Sequence, residues 1–346
     1  MSKESNIEVK IYTIRDLKDW IYRGADNGLS TSLISNARAL ALTQNPYAED
    51  SYPAIAVAYE GTKAVGYTAA LAEKWKGKSI FFGTTGFIDA SMRVKGVGTR
   101  LYSTMMQVCN NQWFASDSAP AALTISKKTG LAIYYFNRYY LNFTHIQSLN
   151  SLLMAKIVQR ANKKALSNLN PSTRLELIRY IDDKTYMFIE QHAEHDIFHR
   201  SQSMLNWILQ SPFKASAPAD VAAYSNYAFT VALPQYTIYA FRVIKENKLI
   251  GFAMFRLNMG DMTLLYLYKD DAHADDVYAS LVKHILYQHI TRFCTFDKGL
   301  IDYYNQSGAK SMNSKSRTLQ ISLSVPEDVK IDPSMAIQGG DGDMFC

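Results

Sequence analysis

Residues 87–101, FIDASMRVKGVGTRL, constrain the fold of this chain more than any other stretch. Phe87-Ile88-Asp89 has strand character and breaks into a short turn. Arg93-Val94-Lys95-Gly96-Val97-Gly98 follows, two glycines among basic side chains. Residues 99–113 then read as an amphipathic helix, with Leu101 and Met105 turned toward a sheet. A helix start leaves about four backbone N–H groups without intrahelical partners and carries roughly half a positive charge. Gly96 and Gly98 remove two Cβ atoms, so an anion can approach those amides, while Arg93, Lys95 and Arg100 surround the point with cations. The turn suits a phosphate or pyrophosphate.

Strands and helices alternate on either side of it. Strands are expected at 7–13, 54–59, 64–72, 79–90 and 121–126, and helices at 16–23, 32–43 and 131–140. Strand character returns across 143–157. Residues 158–173, VQRANKKALSNLNPST, have a linker's composition. A second run repeats the order: strand 175–181, helices 183–192 and 201–209, strands 239–244, 249–257 and 262–268, and a helix over 274–293. Glu60-Gly61-Thr62-Lys63-Ala64-Val65-Gly66-Tyr67 resembles Glu246-Asn247-Lys248-Leu249-Ile250-Gly251-Phe252, a polar turn, two aliphatics, a glycine and an aromatic. The length of 346 residues fits two related domains of about 150–200 residues each. The expected class is α/β (α+β layered), each domain a mixed, mostly antiparallel sheet flanked by helices.

The motif is neither G-x-G-x-x-G nor G-x-x-x-x-G-K-[ST]. R-x-x-G-x-G between a strand and a helix instead resembles the pyrophosphate loop of the GNAT superfamily of acyl-CoA N-acyltransferases, over roughly residues 7–157. The resemblance implies a tandem GNAT arrangement. Residues 1–157 are the acyl-CoA-binding catalytic domain, 158–173 a linker, 174–327 a degenerate GNAT-like domain shaping the acceptor site, and 328–346 a tail. It also implies an N-acetyltransferase that uses acetyl-CoA and no metal. The acceptor is an amine on a small molecule, peptide, amino sugar or aminated nucleoside. Phe87, Ile88 and Asp89 would meet the pantetheine, and Arg93, Val94, Lys95, Gly96, Val97, Gly98, Thr99 and Arg100 the pyrophosphate. The family's tyrosine acid sits on the helix after the fifth strand, taken here as LAIYYFNRYYLNF. Counted from Ala132, the tyrosine position holds Phe136, and a shift of one or two residues brings Tyr135 or Tyr134 to the CoA sulfur, Tyr135 being preferred.

The general base stays open. SIFFGTTGFI contains no carboxylate, which leaves water or Glu73, while Asp89 reads as a turn cap. The second loop, Lys269-Asp270-Asp271-Ala272-His273-Ala274-Asp275, lacks glycine and would repel a pyrophosphate. His192, His195 and His199 read as groove or surface residues, and Asp341-Gly342-Asp343 as part of a flexible tail. The net charge of +6 leaves room for an anionic ligand without indicating nucleic acid. Three scattered cysteines and a polar N-terminus fit a reducing, cytoplasmic setting with no membrane partner. Two rival readings remain, a non-catalytic CoA-binding or nucleic-acid-associated module and a peptidoglycan-bridge aminoacyl-transferase.

Overall fold

The computed structural model describes residues 7–30, 33–34, 36–75, 77–116, 120–128, 131–143, 149–210, 236–323, 331–332 and 335–341. The side chains of residues 85, 93–95, 116, 120–122, 149–152, 319–320 and 322–323 lie outside that description as well.

Two copies of one plan follow each other along the chain. The first is β1 (Ile7–Thr13), α1 (Ile14–Arg23), α2 (Asn36–Thr43), β2 (Pro53–Glu60), β3 (Lys63–Trp75), β4 (Lys78–Ile88), α3 (Val97–Val108), β5 (Trp113–Ser116), α4 (Pro120–Lys128) and β6 (Ala132–Asn142). Helix α5 (Leu149–Asn168) leads to the second copy. There, β7 (Arg174–Ile178), α6 (Asp183–His192), α7 (Gln202–Gln210), β8 (Tyr236–Lys245), β9 (Lys248–Asn258) and β10 (Asp261–Lys269) come first. They are followed by α8 (Ala274–Tyr287), β11 (Arg292–Thr295), α9 (Lys298–Gln306) and β12 (Asn313–Leu323).

Among the described residues the strands form one 12-stranded sheet ordered β1-β2-β3-β4-β5-β12-β6-β11-β10-β9-β8-β7. Pairing is antiparallel except at β4–β5 and β10–β11. Each copy's last strand leaves its own half: β12 pairs with β5, and β6 pairs with β11. Helices α1, α2, α6 and α7 share one apolar core on one face of this sheet. On the other face α3 covers the first half, and α8 and α9 cover the second. Two buried indoles tie the halves together on the shared face: Trp75 donates to the Ile197 carbonyl at 2.7 Å and Trp207 to that of Ala41 at 3.0 Å.

Local chemistry explains the ends. Thr13 and Asp16 form a capping box at the start of α1, and Asp182 caps α6 through the Thr185 amide. Glu60–Lys63 and Lys245–Lys248 close the expected hairpins. Gly66 and Gly251 occupy matching places in β3 and β9, and the following helices pack onto both. A Cβ at Gly66 would stand 2.8 Å from Ile88 Cδ1 and 3.0 Å from the Phe87 carbonyl oxygen, and one at Gly251 would stand 2.9 Å from Val277 Cγ2.

Several sequence expectations are corrected. Residues 121–126 lie in α4, not in a strand, because Pro120 is a favoured first helical residue and alanines follow. Of the helix expected over 131–140, residues 132–140 lie in β6 instead. Their tyrosines and phenylalanine suit a pleated surface, with Tyr134 and Phe136 turned to the shared core. The expected strand over 143–157 and the linker over 158–173 are largely α5, whose Ala155, Val158 and Ala165 are buried at helical spacing. Residues 144–148 lie outside the described part. Helix α3 stops at Val108 because Asn110 and Asn111 turn left-handed, with φ of 54° and 57°. Helix α8 stops at Tyr287 and gives way to β11.

Gly66→Ala should cost about 1–3 kcal/mol, as overpacking in a tight core does. Urea unfolding of the variant checks this, and an unchanged midpoint would contradict the close approach of α3 to β3.

Candidate functional site

The site begins where β4 and β5 part. Among the described residues they pair only at Phe81–Trp113 and Phe82–Phe114. Beyond these pairs β4 runs on to Ile88, with Thr85 standing outside its register with β3 as a bulge. Two parallel strands that separate at their carboxyl ends open a crevice, the place where ligands enter such sheets. In the second half β10 and β11 part in the same way, and Leu265 is the bulge.

The glycine turn lies at the top of β4. Asp89 donates its backbone N–H to the Val65 carbonyl at 2.8 Å, so that amide is already engaged. Its side chain accepts from the Ser91 amide at 3.0 Å and faces Lys63 at 3.5 Å. The Ser91 hydrogen bonds, and then Lys63, hold its carboxyl below the usual range. Asp89 thus caps the turn and starts a 3-10 turn over Ala90–Lys95. The side chains of Arg93, Val94 and Lys95 lie outside the described residues. Gly96 has a φ of 74° and is the N-cap of α3, with no side-chain cap, and among the described residues a Cβ there would meet nothing within 4 Å. The first turn of α3 carries no acidic residue, and Thr99 and Arg100 are exposed. Gly98 is less demanding, since a Cβ would make ordinary contacts at 3.6–3.8 Å with Ile88 and Ile125.

The equivalent turn in the second half keeps the scaffold and loses the anion chemistry. Asp270 matches Asp89: its amide donates to the Ile250 carbonyl at 3.0 Å, and its carboxylate accepts from Ala272 and pairs with Lys248. Helix α8 opens with Asp275 and Asp276. The crevice beside β10 is filled by the chain itself. Gly340 donates to the Leu265 carbonyl at 2.7 Å, and a Cβ at Gly339 would overlap the Leu264 carbonyl oxygen. Residues 339–341 are buried, which corrects the flexible-tail reading for that stretch. Residues 342–346 lie outside the described part.

Asp341 reaches Arg200, a fully buried guanidinium that also pairs with Glu73 and lies over the Phe82 ring at 5.2 Å. Glu73 is 1% exposed, so it is a structural counter-ion and no base for an incoming amine. Burial pushes Asp341 up to about 7, against the pull of Arg200, and Asp196 up to about 6, against its hydrogen bonds from Tyr268 and Gln338. Sequence reasoning missed Arg200, which carries no motif and lies in a loop.

Tyr134 and Tyr135 do not lie beside the glycine turn. The helix after β5 is α4, PAALTISKK, without a tyrosine. Tyr134 pairs with Ile321, level with the end of β5, on the strand that borders the second crevice, and Tyr135 is 59% exposed. The strand bordering the first crevice is β12. Helix α6 ends at His192, whose Nδ1 meets the Phe188 carbonyl, so His192, His195 and His199 do not share a helical face. Among the described residues no cluster of His, Cys, Asp or Glu could hold a metal, and no helix is long and apolar enough to cross a membrane. A cavity of about 570 Å³ lined by Val158, Leu166 and Ile285 lies between α5 and α8, away from the glycine turn.

No family model and no curated protein matches the sequence. Solved structures do match in shape. A tandem GNAT protein from the clavulanic acid biosynthesis pathway is 12% identical over 93% of this chain and 100% of its own, with a TM-score of 0.50. The chain has the tandem GNAT fold. A GCN5-related N-acetyltransferase from Kribbella flavida is also 12% identical, over 92% of this chain and 72% of its own, with a TM-score of 0.50. Within the GNAT plan the open crevice and glycine turn belong to the first copy, and the filled crevice to the second.

The raised carboxyls set a sign for pH. The folded chain holds the protons of Asp341 and Asp196 to higher pH than the unfolded chain does. The stability they confer is therefore present in acid and lost as pH rises through about 6 to 7. The urea midpoint should fall between about pH 5 and about pH 8, and Asp341→Asn should flatten that fall. A midpoint that rises over this range in the wild type, or an unchanged slope in Asp341→Asn, contradicts the assignment.

Proposed function

We propose that this tandem GNAT protein is an acyl-CoA-dependent N-acyltransferase, with acetyl-CoA as donor and a primary amine as acceptor. The observation that carries the reading is the start of α3: a left-handed Gly96 open to solvent, no side-chain cap and no acid in the first turn. Backbone amides of Val97, Gly98 and Thr99 there suit a pyrophosphate. Arg93, Lys95 and Arg100 supply charge. The N-acetyltransferase of Kribbella flavida, similar in fold, supports the choice of donor.

The chemistry needs little covalent help. The amine attacks the thioester carbonyl, the tetrahedral oxyanion collapses, and CoA leaves as its thiolate, which takes a proton. The upper end of β4, with Phe87 and Ile88 beyond the Thr85 bulge, is where the pantetheine would run. Asp89 serves this site by shaping the turn. The acid is assigned to no tyrosine of β6, because Tyr134 and Tyr135 border the other crevice.

One acyl-CoA should bind per chain. Calorimetry is expected to give a stoichiometry near one, and Gly96→Glu should abolish binding while the fold persists, by placing a charged side chain where phosphate oxygens lie. Undiminished CoA affinity in folded Gly96→Glu would overturn the reading.

A further inference from the structure

Helix α5 is basic along its outer side and apolar over part of it. Lys156, Arg160, Lys163 and Lys164 are exposed, and among the described residues none of them makes an ion pair. Residues 118–175 contain no Asp or Glu. On the same helix Leu153, Met154 and Ile157 are 61%, 47% and 48% exposed. Leu153, Ile157, Arg160 and Lys164 follow at steps of four, three and four, so they form one stripe along the helix. The opposite side holds Ala155, Val158 and Ala165, which are buried.

The neighbours place this stripe at one end of the second half. Just past α5, the Thr173 hydroxyl meets that of Ser280 in the middle of α8, while Val158 and Lys163 share a cavity with Ile285 and His289. The two helices therefore run antiparallel, and the part of α5 before Val158 extends past the C-terminal end of α8. Phe143, which lines the same cavity, donates its amide to the Thr291 carbonyl at 2.8 Å, and Thr291 donates to that of Gly260 at 2.9 Å. Exposed Tyr287 and Met259 thus stand at this end as well. Asp261, the acid beside the Met259-Gly260 turn, is already paired with Arg292.

An exposed apolar patch rimmed by polar residues marks an interaction surface. The cations call for an anionic occupant, and the aliphatic side chains for an apolar one. A nucleic acid would leave Leu153, Met154 and Ile157 in water. A second copy, meeting this face with the same face, would set like cations against each other. The boundary between lipid headgroups and acyl chains satisfies both demands, because each basic residue near it adds attraction to anionic lipid.

We propose that this end of the molecule docks on the surface of a bilayer that contains anionic lipid. Leu153, Met154 and Ile157 enter the acyl boundary, and Lys156, Arg160 and Lys164 meet lipid phosphates. Helix α5 lies on the bilayer and does not cross it, since no described helix is long and apolar enough to do so.

Cosedimentation of the full chain with vesicles tests it, using phosphatidylcholine alone and an equimolar mixture of phosphatidylcholine and phosphatidylglycerol. The chain should bind the mixed vesicles, and phosphatidylcholine at least about tenfold more weakly. Arg160→Gln/Lys164→Gln and Leu153→Ser/Ile157→Ser should each weaken binding to the mixed vesicles by about tenfold or more. Lys127→Gln/Lys128→Gln, an exposed pair on α4, should leave it unchanged. Circular dichroism of every variant should match the wild type. Failure to bind the mixed vesicles, equal binding to both lipids, or undiminished binding by either folded α5 variant overturns the proposal. An equal loss in Lys127→Gln/Lys128→Gln also overturns it, by making the binding a matter of net charge alone. A wild-type dimer that ignores vesicles and that Leu153→Ser/Ile157→Ser converts to a monomer, read by sedimentation velocity, assigns the face to a second copy and overturns the proposal too.

Discussion

Everything in this molecule depends on the exchange of two strands at the centre of the sheet. Strand β12, made last, closes the first half against β5, and β6 closes the second against β11. Neither half completes its own sheet, so neither can bury its edge without the other. The exchange also sets which residues meet at each crevice. Chemistry placed on β6 serves the second half, and chemistry placed on β12 serves the first.

The two halves show how one plan supports different work. Asp89 and Asp270 make the same three contacts: an amide to the central strand, a carboxylate onto the turn, and an ion pair to the hairpin lysine. Those contacts hold the shape of the turn and are indifferent to ligand. What differs is the surround. The first turn is glycine-rich and free of acids at the start of its helix; the second begins its helix with aspartates. The second crevice is also taken up by residues 339–341. Asp341 then joins the Arg200–Glu73 pair beneath Phe82, so the filled crevice and the open one share a buried electrostatic contact. Such a pair is costly to desolvate and does little for net stability. Its effect is to hold the tail and β3 in one arrangement.

Much of the fold was legible because its signals are local. Hairpins at residues 60–63 and 245–248, the strand–turn–helix at Gly96 and the repeat of Gly66 in Gly251 all follow from turn chemistry and packing over short distances. The centre of the sheet was not legible. The four tyrosines in YYFNRYY mimic a helix motif by their spacing although their β propensity favours a strand, and the Pro-Ala-Ala start of α4 is a short signal beside them. Strands of four residues, such as β5 and β11, carry too few alternations to register. The exchange depends on contacts some two hundred residues apart, such as Ile321 with Ser116, and no local pattern encodes it. Of the site, the phosphate turn could be read. Arg200, Asp341 and the β12 wall could not, because they act through the topology.

In the proposed reading, CoA binds only at the glycine turn of the first half. Hydrogen exchange with and without CoA tests it directly at the level of backbone amides. The account predicts that CoA slows exchange at residues 96–101 and at the upper end of β4, and leaves the start of α8 and the residues around Asp270 unchanged. Protection at Asp270–Asp276 with none at Gly96–Leu101 would contradict it and assign the cofactor to the half whose crevice is filled.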